Sequence, residues 1–401
     1  MYYIPGYIKI EKVDNKIILE NLYTKARVLL ETEYVNELRN LIKNGTNNIS
    51  SELEIFLNKY KFLVTNDQFV SEIKSYFEDN NKYLRLVLMP TEKCNFRCTY
   101  CYEQHDNEEQ SLDYQAITNF LKEKVNERDW KGINISWFGG EPLLKLNEIS
   151  KFHQLIQPLD LEKDIKTTIV TNAYTLNENT ISILEKSNVM YYEITVDGNA
   201  QDELRVLKNG GPTFDVIMNN LKSLKKHKFN NCVIRVNISD ISDDNYHFYD
   251  VLYSMIGNDD RFMVDVHKVF ESDLFKLGNY NRVNEMYQKN IEIAKKFGFE
   301  LLETSTNLMQ CYGARENSYT FRPNQSVVKC TVSLDAPWNQ IGKVINHEVV
   351  LNDSQDADCL KEDRIKNCMR CKNINTCKTF SCPKSMYEHR NCNAAILTVD
   401  F

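Results

Sequence analysis

Read along the chain, hydrophobic and polar positions fall into three stretches of different pattern. Residues 1–75 open with two short strand-like runs, YIKIEKV and KIILENL, separated by a turn signal at Asp14-Asn15. A third run, ARVLLE, follows. TEYVNELRNLIKNG then places Val35, Leu38, Leu41 and Ile42 on one helical face and stops at Gly45, a helix-ending residue. Ser51 with Glu54 reads as a capping box opening a second helix, with Leu53, Phe56, Leu57 and Tyr60 as its apolar positions, and KFLV returns as a closing strand. The pattern predicts a small winged-helix-like module.

From residue 84 to 270 the period alternates between two and 3.6. LRLVLMP (84–90), NISWFGG (134–140), TTIVTNA (167–173), YYEITVDG (191–198), VIRVNIS (233–239) and FMVDVHKV (262–269) read as strands. LDYQAITNFLKEKVNE (112–127) and FDVIMNNLKSLKKH (214–227) read as helices between them, and RVNEMYQKNIEIAKKFG (282–298) as the helix that follows. Alternation of this kind predicts an α/β fold with a parallel sheet. Several strands end in turns, at Gly139-Gly140-Glu141-Pro142, Thr171-Asn172 and Asp197-Gly198, where barrel-type sheets hold ligands. Beyond residue 300 the apolar periodicity fades.

Composition narrows the function classes. Charged residues make up 26% and the net charge is −7, which argues against a nucleic-acid partner. The first residues lack a secretory signal pattern, and no apolar run reaches the roughly 18 residues of a membrane span, so no membrane partner and a cytoplasmic location are expected. Thiols stay reduced there, so twelve cysteines point to metal or cluster binding.

Cys94, Cys98 and Cys101 are spaced C-x3-C-x2-C straight after the apolar run LRLVLMP. A four-iron cluster takes four ligands, so three local thiolates leave one iron open to a substrate or cofactor. The alternative is a zinc site closed by His105. CNFRCTYC, with Tyr100 before its last cysteine, resembles the signature loop of radical S-adenosylmethionine (radical SAM) enzymes. WFGGEPLL is similar to that family's GGEP motif, and IVTNAYTL to its TNG stretch, with Ala173 in the glycine's place. ITVDGNAQDELRVLKNGGPTF resembles its SxDG–HDxxR–GxxTF series, with Thr195 at the serine and Gln201 at the histidine position. VIRVNIS resembles the segment whose Asn237 approaches the ribose.

The resemblance implies a partial (β/α)6 TIM-type barrel over residues 80–300. A [4Fe-4S] cluster on Cys94, Cys98 and Cys101 would bind S-adenosyl-L-methionine (SAM) at its open iron. Reduction by a donor such as ferredoxin or flavodoxin would then yield a 5′-deoxyadenosyl radical. Tyr100, Gly139, Gly140, Glu141, Asn172, Thr195, Arg205 and Asn237 are the implied cofactor contacts. Among these, Thr195 and Arg205 are assigned to the SAM carboxylate, and Glu141 is expected to act mainly through neighbouring backbone groups.

Residues 301–401 resemble the Cys-rich SPASM extension, which carries two auxiliary [4Fe-4S] clusters, for three in all. By order, Cys368, Cys371, Cys377 and Cys392 would hold the outer cluster, and Cys311, Cys330 and Cys382 the inner one. Cys359 completes the inner cluster, or that site is open to substrate. Two departures stand out: four residues separate Cys377 from Cys382 where three are usual, and Gln325 takes the place of a glycine before Cys330. Two structural zinc sites are the alternative for this field. Lys366, Arg370, Lys372 and Lys378 either offset the clusters' charge or are solvated, and Cys232 reads as a core residue.

SPASM enzymes mostly act on peptides and proteins, and the N-terminal module resembles elements that bind the leader of a ribosomally made precursor peptide by strand addition. The expected function is therefore a leader-guided peptide maturase, an oxidoreductase forming a thioether or C–C cross-link. The alternatives are an anaerobic sulfatase maturase, a buttressing rather than leader-binding module, and a zinc-stabilised protein without catalysis.

Overall fold

The computed structural model describes residues 1–14, 16–22, 24–78, 82–103, 111–159, 164–269, 271, 275–302, 311–352, 368–369, 371 and 382–384. The chain divides into two compact units, one of residues 1–82, 304–316 and 354–401, the other of 83–303 and 317–353. Among the described residues no helix is long and apolar enough to cross a membrane.

The first unit begins with an antiparallel sheet of β1 (Ile8–Val13), β2 (Lys16–Asn21) and β3 (Arg27–Glu31), in that order. Three helices follow, α1 (Val35–Lys43), α2 (Ser51–Lys59) and α3 (Asn66–Glu78). Leu38, Leu41 and Ile42 of α1 are buried, as the 3.6 period requires. Two expectations are corrected. Ser51 is already helical, and Ser50, the N-cap, makes no side-chain cap. Ser50 turns instead to Glu37, whose carboxylate accepts from its N–H (2.7 Å) and hydroxyl (3.1 Å). KFLV is not a strand: only Val64 bridges to Tyr3, and the chain enters α3. The start of α3 was legible, because Thr65 and Gln68 form a reciprocal capping box, with Gln68 N–H donating to the Thr65 hydroxyl (3.2 Å) and Thr65 N–H to Oε1 of Gln68 (2.8 Å). Met369 joins this unit's core, and its carbonyl accepts from Gly6 N–H at 2.7 Å.

The second unit is a strand–helix alternation. Its elements are β4 (Tyr83–Leu88), β5 (Phe96–Cys98), α4 (Tyr114–Glu127), β6 (Gly132–Trp137), α5 (Leu146–Ile156), β7 (Asp164–Thr171), α6 (Glu178–Lys186), β8 (Tyr191–Thr195), α7 (Gln201–Leu204), β9 (Arg205–Leu207), α8 (Phe214–Leu224), β10 (Asn231–Ile238), α9 (Tyr246–Ile256), β11 (Phe262–Lys268), α10 (Tyr280–Lys296) and β12 (Glu300–Leu301). Strands β4, β6, β7, β8, β10, β11 and β12 pair in this order, all parallel. The six strands expected from sequence are the six long ones, each within a few residues of its expected bounds. What the fading periodicity did not announce is an extension at the β4 edge. There β13 (Ser318–Phe321) pairs parallel to β4, and β14 (Ser326–Val328), β15 (Gln340–Ile345) and β16 (Glu348–Leu351) continue antiparallel.

The rows of the parallel strands differ sharply. Ile194, Ile234, Val236, Val264 and Val266 belong to the core built with the helices and are sealed. The opposite row carries Glu193, Arg235, Asn237, Met263, Asp265 and His267, several of them only half-buried. TIM barrels fill that inner row with branched apolar layers; here it is polar and partly open.

Candidate functional site

The cysteine loop leaves the C-terminal end of β4. Its stem lies against the turn after β6, and the two glycines there are what make the approach feasible. A Cβ on Gly139 would fall 2.4 Å from the Thr91 carbonyl oxygen, and one on Gly140 would fall 2.3 Å from that of Lys93. Backbone bonds lock the contact, from Gly140 N–H to Thr91 O (3.1 Å) and from Glu141 N–H to Lys93 O (2.9 Å). The loop's far side pairs with the Arg205 segment as a two-stranded ribbon, β5 with β9, in which Cys98 is opposite Arg205.

Glu141 is fully buried and its side chain, more than its neighbours' backbone, carries the local architecture. It accepts from Thr171 Oγ1 (2.7 Å), Asn172 N–H (2.8 Å) and Leu143 N–H (3.0 Å). Burial raises its carboxyl above the usual range, and these donors oppose the shift. The bonds pin the end of β7, so that Asn172 Nδ2 donates to Asn95 Oδ1 (2.8 Å) and lies 3.8 Å from Cys94 Sγ. Ala173, in the glycine's place, adopts φ +58° and is fully buried. Gln325 likewise adopts φ +64°. At both departures the backbone keeps a left-handed conformation that favours glycine.

A second cluster joins Tyr100, Asp197, Arg205 and Asn237. The Tyr100 hydroxyl donates to Asp197 and accepts from Arg205 (3.2 Å) and Asn237 Nδ2 (3.1 Å). Asn237 also donates to Asp197 from its backbone (3.2 Å) and side chain (3.1 Å). Gln201, buried at the histidine position, accepts from Asp197 N–H (2.8 Å) and donates to Thr213 Oγ1 (2.8 Å). Burial opposes the Arg205 charge, but Tyr100, Cys98 and Asp197 outweigh it and hold the guanidinium above its ordinary value. Phe275 packs edge-on against Tyr100, with centroids 6.2 Å apart. The sequence reading missed Phe275 because it lies on a loop without a motif. It also assigned no role to Asp197, although the motif contained it.

The residues fit the implied groups. Burial pushes the Cys94 and Cys101 thiols up to about 12 and raises Cys98 as well, so the thiolates need a cation that water does not replace. The described residues gather no three Cys, His, Asp or Glu side chains in the manner of a single metal ion. Thiolates of a four-iron cluster bind separate irons and stand further apart than the ligands of one zinc. Arg205 Nε is buried without a partner, a donor suited to a carboxylate such as SAM's. Thr195 ends β8, opposite Arg235 in register, outside both hydrogen-bonded clusters.

The C-terminal cysteines are only partly described. Cys359, Cys377 and Cys392, with His105, lie outside the described residues. Cys330 is buried in a loop ordered by Asn339, whose Oδ1 accepts from Lys329 N–H (3.1 Å) and Cys330 N–H (2.7 Å). Cys368 and Cys371 form a turn in the first unit, closed by Cys371 N–H to Cys368 O (3.0 Å). Cys311 and Cys382 are partly exposed, and Cys232 is buried in β10.

Residues 88–252 match the model of the Radical SAM superfamily. The chain is 27% identical over 311 residues, 70% of its length, to the radical SAM cyclopropyl synthase TigE of Paramaledivibacter caminithermalis; the match spans 63% of that relative. Among solved structures it resembles native anSMEcpe with bound AdoMet (TM-score 0.56, 16% identity, 79% of this chain and 92% of that one). It also resembles Streptococcus suis SuiB (TM-score 0.54, 16% identity, 99% of each chain), which has been solved bound to the precursor peptide SuiA as well. At these identities the likeness is one of fold. Motifs, strand order and family match agree: residues 88–252 of this chain are a radical SAM domain.

Proposed function

We propose that this chain is a leader-guided radical SAM maturase that forms a cross-link in a ribosomally made precursor peptide. The observation that carries the reading is the reach of the fold likeness. It covers 99% of this chain and of SuiB, N-terminal sheet and helices included, and SuiB is a protein solved with its precursor peptide. In this reading residues 1–75 bind the leader, 80–300 form the catalytic barrel and 301–401 the auxiliary-cluster domain.

Cys94, Cys98 and Cys101 would hold the SAM-binding cluster, with Cys311, Cys330, Cys359, Cys368, Cys371, Cys377, Cys382 and Cys392 available to two auxiliary clusters. When bound, the cluster and SAM supply a 5′-deoxyadenosyl radical able to take hydrogen from an unactivated carbon. The chain's own part is positioning. Glu141 fixes Asn172 against the cysteine loop. Arg205 offers its buried Nε to the SAM carboxylate, and Asp197 offsets the Arg205 charge through Tyr100. Asn237 and Phe275 border Tyr100, where an adenosine would lie. The preformed donors lower the reorganisation needed at the moment of reaction.

Between bond types, similarity to a cyclopropyl synthase favours carbon–carbon over thioether formation, since a cyclopropane ring closes through a C–C bond. Similarity over 33% of this chain to a serine-type anaerobic sulfatase-maturating enzyme of Bacteroides thetaiotaomicron supports a second reading, oxidation of a protein side chain. The test is anaerobic incubation of the reconstituted full chain with reductant, SAM and a short precursor encoded beside its gene. Loss of two hydrogens from the precursor is expected. An unchanged mass for every neighbouring precursor, with a sulfatase peptide modified instead, would transfer the assignment to the second reading.

A further inference from the structure

The inner row of the sheet holds a carboxylate that neither cluster above uses. Asp265 lies on β11, 7% exposed, and its Oδ1 is buried without a hydrogen-bond partner. Its direction follows from its strand neighbours. Val264 and Val266 join the core on the helix side, so Asp265 is on the opposite, inner row with Met263 and His267.

Register places Asp265 opposite Arg235 on β10, and Arg235 opposite Thr195 on β8. Arg235 is already engaged. It donates to Glu193 (3.4 Å) and to Asn237 Oδ1 (3.2 Å), and Asn237 in turn reaches Tyr100. Across β8, β10 and β11 the inner row thus carries two carboxylates, Glu193 and Asp265, against one guanidinium and the His267 imidazole. The other inner-row arginine, Arg85, is on β4, several strands away in the sheet, and donates to Ser136. A nine-tenths buried carboxylate oxygen without a donor is costly unless something donates to it. Burial holds the Asp265 carboxyl above its usual range; Arg235 opposes this and Glu193 adds to it.

We propose that Asp265 is a specificity residue, whose carboxylate receives a cationic side chain, an amino or guanidino group, from the substrate segment that enters the barrel. The excess of negative charge on this part of the row selects a cation over a neutral donor. Asp265 is two strands from Thr195 along the register, so the group it holds would place the neighbouring substrate carbon beside the SAM-facing residues. Identifying that segment as peptide rests on the maturase reading; the charge preference does not.

The experiment uses the reconstituted, SAM-loaded full chain without turnover. Nα-acetyl-lysine methylamide, its norleucine analogue and its glutamate analogue are titrated and followed by saturation-transfer NMR. All three share the same backbone amides, so differences report the side chain. Lysine is expected to bind about tenfold tighter than norleucine, and glutamate more weakly than either. Asp265→Asn should erase the lysine preference and Asp265→Glu retain part of it, with SAM affinity held within about twofold in both. Equal binding of lysine and norleucine to the wild type would overturn the proposal, and that comparison needs no variant. So would a preference that survives Asp265→Asn, or an Asp265→Asn chain that loses about tenfold in SAM affinity, which would assign the carboxylate to the cofactor. Failure of the maturase reading registers separately, as an unchanged precursor mass with the lysine preference intact.

Discussion

Ala173 and Gln325 occupy positions where the family pattern has glycine, and the backbone at both stays left-handed. An L side chain there costs about 1 kcal/mol. Ala173→Gly and Gln325→Gly should each therefore raise the unfolding free energy by up to about 1 kcal/mol, less what glycine adds to the unfolded chain's entropy. Chemical denaturation of the two variants measures it; a loss above about 1 kcal/mol at either would contradict the strain. Glu141 is the opposite case. Glu141→Ala leaves the Thr171 hydroxyl and the Asn172 and Leu143 amides without their acceptor, and should cost about 3 kcal/mol. Of these residues, the glycine departures and Glu141 were visible in the motifs. The pairing of Glu141 with β7 was not, because thirty residues of chain separate the partners.

At the scale of elements, the cysteine loop is held by two neighbours, the turn after β6 and the β5–β9 ribbon. Tyr100 is its link to the strand ends. Tyr100→Phe keeps the ring against Phe275 but removes the hydroxyl shared by Asp197, Arg205 and Asn237. SAM affinity should fall about tenfold while the iron content is unchanged, as read by equilibrium binding and iron assay. Cys94→Ala should abolish SAM cleavage and lower iron content, leaving any C-terminal clusters in place. The stem of the loop has a further anchor. Arg322, 2% exposed, follows β13 and donates to Glu92 (2.7 Å), to the Leu334 carbonyl (3.0 Å) and to Asp335 (2.8 Å). Arg322→Met removes the buried ion pair to Glu92 and should cost about 3–5 kcal/mol. Adding Glu92→Leu should recover most of that loss, and the double-mutant cycle decides it. The parallel strands and helices of the second unit were legible because their apolar rows repeat with clean periods. Strands β13–β16 were not, being only three to six residues long, too short for a period to stand out.

For the whole molecule, the first unit draws on both ends of the chain. Gly6 lies so close to the Cys368–Cys371 turn that a Cβ there would fall 1.9 Å from the Cys371 carbonyl oxygen. Gly6→Ala should therefore displace that turn, lowering any iron that the C-terminal cysteines hold and leaving SAM binding in the radical SAM domain intact. Met369→Ala should open a cavity in the same core and cost about 2–3 kcal/mol, most visible as faster amide exchange in α1 and α2. A chain in which neither change affects the N-terminal core would contradict the shared packing.

By itself the sequence determined the radical SAM signature and the order of the strands and helices around it. Three closely spaced cysteines, a double glycine and a run of strand-end motifs are local signals, and local signals survive being read one residue after another. Tertiary structure decided what distant positions do to each other. It brought Asp197 and Tyr100 into one hydrogen-bonded cluster from 97 residues apart. It gave the glycines of the β6 turn their reason in the backbone of the cysteine loop, and it left Asp265 buried on the inner row with an oxygen still to be satisfied. Burial and partnership depend on which strands become neighbours, and no period along the chain carries that information.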